Sequence, residues 1–97
     1  MSTFSKIDAG TYTLPNGSNN PFFGNGAPTS QGGHGLTLKA PTGNTGQVFI
    51  GGDPAGNATN MYPIDKGEIL NIEILNPKSI RVLGTSGDKL HWVRISS

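Results

Sequence analysis

The stretch from Gly46 to Ile95 admits few folds, because short β-branched and aromatic runs alternate there with turn residues. The runs are Gln47-Val48-Phe49-Ile50, Met61-Tyr62-Pro63-Ile64, Glu68 to Leu75, Ile80-Arg81-Val82-Leu83 and Lys89 to Ile95. Between them lie Gly51 to Asn60, Asp65-Lys66-Gly67, Asn76-Pro77-Lys78-Ser79 and Thr85-Ser86-Gly87-Asp88. That punctuation predicts strands joined by turns, in a sandwich or a barrel. Alternation is clearest in the third run, which sets Leu70, Ile72 and Ile74 on one face and Asn71 and Glu73 on the other. No run keeps a helical period.

Upstream, Ile7 to Leu14 reads as a first strand with Tyr12 and Leu14 inward, and Leu36 to Ala40 as another with Leu36, Leu38 and Ala40 on one side. The prediction is an all-β fold: a small antiparallel β-sandwich of about seven strands in one domain spanning 1–97. Its expected core is Val48, Ile50, Leu70, Ile72, Ile74, Ile80 and Val82, with Tyr62 also favoured inside. Lys39, Glu73 and Lys78 should be more exposed than Leu38, Ile72 and Ile80. In the last strand Leu90 and Trp92 compete with Val93 and Ile95 for the interior.

Pro15 to Gly35 has neither period. It is rich in Gly, Pro and Asn and reads as a long loop or arm. Ordering those twenty or so residues costs on the order of 20–40 kcal/mol, whereas burying an aromatic side chain returns only about 2–3 kcal/mol. Phe22-Phe23 therefore has two readings: a loop anchor folded over its own sheet, or an anchor in a neighbouring subunit. Phe22, Phe23, Asn25, Phe49 and Met61 are the candidate subunit-contact residues.

Charged residues make up 13% of the chain, about half the usual ~25%. The net charge is +1 and the basic residues are scattered, which gives no footprint for nucleic acid. No apolar stretch approaches the ~20 residues of a membrane span. Cysteine is absent, so there is no thiol chemistry; with no apolar leader in Met1 to Lys6, production in a cytoplasm is expected.

No catalytic set emerges. Ser86, His91 and Asp88 form a triad only on paper, and His91 reads better as a surface or edge side chain. Gly51 to Asn57 lacks the Lys-Ser/Thr ending of a phosphate loop and precedes a strand, so a turn is expected. Asp53, Asp65 and Asp88 are too dispersed for a calcium loop. The chain is not expected to be an enzyme, and neither a cofactor nor a metal is expected. The sequons at Asn16 and Asn57 matter only in a secretory pathway.

Several of these residues carry a resemblance. Gly35-Leu36-Thr37-Leu38-Lys39-Ala40, then Asn44 to Gly52, Tyr62-Pro63-Ile64, Lys66-Gly67-Glu68, Ile80 to Gly84 and Gly87 to Leu90 resemble a recurrent pattern in small β-sandwich structural proteins of tailed bacteriophages. It spans about residues 6–95; Pro15 to Gly35 is longer than the pattern has. The resemblance implies a virion structural protein, foremost a capsid decoration or cement protein, with a neck or tail component as an alternative. Implied partners are the major capsid protein or other virion proteins and further copies of the chain. A reading of a different class is a carbohydrate-binding host-attachment module built on His91-Trp92, or on Tyr62 near Asn57 and Asn60; exposed, coplanar rings would favour it and a buried Trp92 would weaken it.

Overall fold

The computed structural model describes residues 6–22, 24, 26–27, 35–73 and 79–96, with Lys6, Ile95 and Ser96 described by backbone alone. It contains β1 (Lys6–Thr13), β2 (Asn20–Pro21), β3 (Gly35–Lys39), β4 (Val48–Gly51), β5 (Tyr62–Ile64), β6 (Ile69–Ile72), β7 (Arg81–Leu83) and β8 (Lys89–Ser96). The described residues include no α-helix. Two antiparallel sheets form, in the orders β1-β8-β3-β6 and β2-β7-β4-β5.

The two orders share a rule. Strand β1 sits beside β8, β2 beside β7, β3 beside β6 and β4 beside β5. The chain is thus a long antiparallel ribbon folded back at the Gly51–Tyr62 connection and wrapped so that successive pairs alternate between sheets. This is the strand order of a jelly roll, in which two nested Greek keys make a double-sheet sandwich.

One core joins the sheets. Tyr12, Leu36, Leu38, Leu90 and Trp92 come from the first, and Val48, Ile50, Ile64 and Val82 from the second. Alternation sets the inward residues in the first sheet: Leu38 lies opposite Trp92 on one side and Leu70 on the other. In β8 the even residues win the interior, because Leu90 and Trp92 are opposite Tyr12 and Gly10. Gly10 is required there. A Cβ on it would come within 2.9 Å of Trp92 Cζ2 and 3.1 Å of the Gly26 carbonyl. The same parity turns Arg94 inward, where its Nη2 donates to Asp8 Oδ2 at 2.8 Å.

Expected turns appear as such. Gly67 and Gly87 both have φ near +86°, the left-handed region that glycine enters at no steric cost. Lys39 and Glu73 are exposed relative to Leu38 and Ile72, as alternation predicts; Lys78 and Ile74 lie outside the described residues.

Three expectations need correction. An eighth strand, β2, lies within the stretch read as structureless. Phe22 N donates to Ile80 O at 2.8 Å, so Pro21 falls at a position where the ladder needs no donor. Leu70 and Ile72 pack against the core but are only half-buried, because β6 is an edge strand. Tyr62, favoured inside, is 61% exposed. It opens a three-residue edge strand, and its inward-facing position opposite Ile50 lies where the second sheet is left uncovered.

Candidate interaction surface

The sequence nominated the arm, and the structure divides it. Phe22 is fully buried, its ring centroid 5.1 Å from that of Tyr12 at a tilt of 56°. Ala27 is buried too, and the Gly26 carbonyl accepts from Trp92 Nε1 at 2.7 Å. Of the two readings, Phe22 takes the loop anchor; it has no surface left for a neighbour. Phe23 and Asn25 lie outside the described residues.

Met61 is likewise an internal anchor. It is buried in a slot lined by two glycines, since a Cβ on Gly51 or Gly56 would come within 3.1 or 3.0 Å of its Cγ. Asn19 pins the same loop: its Nδ2 donates to Gly56 O at 2.9 Å, and its Oδ1 accepts from Arg81 Nε at 2.8 Å. Phe49 is half-buried on the outer face of the second sheet, in register with Pro63 and Leu83. Of the five candidates, Phe49 alone is seen to keep accessible surface on an outer face.

A second surface is the outer face of β1-β8-β3-β6, to which the sequence pointed only through the apolar residues on both sides of its last strand. Register aligns two rows across it: Ala9, Val93, Thr37 and Asn71, then Thr11, His91, Lys39 and Ile69. Ile7 is 74% exposed and Ile69 is 60% exposed, both on this side. Val93 is half-buried between them. The polar members are tied to one another: Thr11 Oγ1 and His91 Nδ1 are 2.8 Å apart, and the Thr37 hydroxyl donates to Asn71 Oδ1 at 2.7 Å. A depression of about 240 Å³ opens among Thr37, Lys39, Ile69, His91, Trp92 and Val93. The result is a flat face, apolar at its edges, whose hydrogen-bonding groups partly satisfy one another. The sequence signal was present in the Ile69-Leu70 doublet, where two adjacent large apolar residues cannot share one side of a strand.

The paper triad does not assemble. Asp88 Oδ1 and Oδ2 accept from the backbone N–H groups of Thr45 and Gly46 at 2.8 and 3.1 Å, while His91 bonds to Thr11. Burial alone pushes the Asp88 carboxyl up, but those hydrogen bonds, the Thr45 hydroxyl and the Lys66 charge together outweigh it and hold the group below the usual carboxylate range. Asn44 completes the clasp, donating to Lys89 O and accepting from Lys89 N, each at 2.8 Å. Burial raises the Tyr12 phenol, with Arg81 opposing the shift. Gly51 to Asn57 is a turn, closed by Gly56 N donating to Asp53 O at 2.8 Å. No group of three or more metal-ligating side chains gathers among the described residues.

Comparisons with protein-family models, with curated proteins and with solved structures find no match to this chain.

Proposed function

We propose that this chain is a structural subunit of a bacteriophage virion, foremost a capsid decoration protein, that stabilises the particle by adding interface. The observation that carries the reading is the outer face of β1-β8-β3-β6, with Ile7 and Ile69 exposed at its edges and Val93 between. Exposed apolar area on a small domain marks a contact surface. The jelly-roll strand order suits the role, being common in capsid and lectin domains, although a fold of this kind hosts many functions. Low charge lets copies crowd on a shell without strong mutual repulsion. The sequence resemblance supplies the phage context.

The sugar-platform reading loses one of its two sites. Trp92 is only 8% exposed and its indole N–H is engaged by Gly26, which leaves Tyr62 beside the Asn57–Asn60 turn.

The test is composition. Gradient-purified particles from the host that encodes the chain should contain it at a fixed ratio to the coat protein, measured by quantitative peptide mass spectrometry. Val93→Glu should lower that ratio and the particle's resistance to heat. Absence from purified particles would remove the proposal.

A further inference from the structure

Four strands end the two sheets, and three of them are guarded. Strand β2 is two residues long and contains Pro21; β5 is three residues long and contains Pro63. Proline and brevity are standard devices against edge-to-edge pairing. Strand β1 is covered at its middle by the Gly26 backbone, which lies so close to the Thr11 carbonyl that no Cβ would fit. Strand β6 is four residues long, and among the described residues β3 alone pairs with it. Its residues Ile69 to Ile72 carry no proline and no charge.

The phase of its backbone is fixed by β3. Ala40 N donates to Glu68 O at 3.1 Å, and the register continues through Leu38 opposite Leu70 and Leu36 opposite Ile72. The even residues therefore bond to β3, and the N–H and C=O groups of Ile69 and Asn71 point out of the sheet. Beside that edge Leu70 and Ile72 are half-buried and Ile69 is mostly exposed.

We infer that β6 pairs antiparallel with β6 of a second copy, joining two four-stranded sheets into one across a two-fold axis. The occupant is chosen by the strand's own sequence. With Asn71 opposite the partner's Asn71, Leu70 meets the partner's Ile72 on the core side and finishes the burial both lack. The same register sets the partner's Glu73 beside Ile69, and Lys39 is the next residue in that row. Two strand spacings, about 10 Å between Cα atoms, separate Lys39 from that carboxylate, within reach of the two extended side chains. A two-fold axis makes the contact twice, so each copy offers the base and the acid its partner needs. This pairing goes beyond the virion reading and does not depend on it.

Sedimentation velocity on the isolated full chain should show a concentration-dependent dimer, with the Ile69 and Asn71 amides protected from hydrogen exchange in the dimer. Asn71→Pro removes an outward N–H from an edge strand, so it should give a monomer with an unchanged far-UV spectrum. Glu73→Lys should weaken dimerisation about tenfold, the effect of two lost and reversed cross-strand charge pairs. Adding Lys39→Glu to it should restore the dimer, and this swap carries the test if the proline variant does not fold. A monomer at every concentration, a dimer whose Ile69 and Asn71 amides exchange freely, or a failed charge swap would each overturn the pairing. None of these results bears on whether the chain is found in purified particles.

Discussion

Replacing Phe22 with Ala tests whether the loop after β1 belongs to the domain's own core. The ring is 0% exposed and packs against Tyr12. Truncating a buried Phe costs about 3–5 kcal/mol. A domain of this size has about 5–15 kcal/mol in total, so the variant forfeits about a fifth of its stability or more. With a urea slope of about 1.5 kcal/mol/M, the midpoint should fall by roughly 2–3 M. The single Trp92 reports the transition, since it is buried in the native state and its environment changes on unfolding. Phe22→Leu keeps most of the volume and should lose much less. A midpoint within about 0.3 M of the parent for Phe22→Ala would refute the reasoning, because no buried Phe of this kind is so cheap to remove.

Asp88→Asn should destabilise the domain by about 1–3 kcal/mol, since one of the two backbone donors it serves then faces an NH₂ group; the urea midpoint reads this. The folded-state carboxyl titrates below its ordinary value of 3.8, so its contribution is complete above that pH and is lost as the pH falls through the folded value. Urea midpoints on descending from neutral to acid pH should therefore fall more steeply for the parent than for Asp88→Asn. Gly10→Ala should cost about 1–3 kcal/mol by overpacking against Trp92 and the Gly26 carbonyl, with a change in native fluorescence; an unaltered spectrum and melting temperature would show that the neighbours yield freely.

Much of the sheet framework was legible because each strand carries its own signal. Leu36, Leu38 and Ala40, or Val48 and Ile50, declare their face by alternation, and Gly67 and Gly87 declare their turns. What failed depends on neighbours distant in sequence. Two residues, Asn20 and Pro21, are too few to show a period, and β7 alone makes them a strand. The two readings of Phe22 could be separated only by knowing that Tyr12 lies against it. Tyr62 has strand-like chemistry, yet it lies where the sandwich ends. The outer face was legible only in the last strand, because Ile7, Val93, Thr37 and Ile69 come from four separate strands and form a surface only through register.

The nesting of the strand pairs has a consequence for how the protein is made. Lys6 lies opposite Ser96, so β1 leaves the ribosome long before its partner β8. Among the described strands only β4 and β5 are neighbours in both sequence and sheet. Closing the ribbon from that end outward lets each pairing shorten the loop for the next, whereas joining β1 to β8 first would close the largest loop of all. Synthesis at about 5–20 residues per second leaves β1 without its partner for several seconds. During that interval Tyr12 and Leu14, both buried in the folded domain, are unprotected, and the nascent chain is most open to a holding chaperone and to mispairing with its siblings.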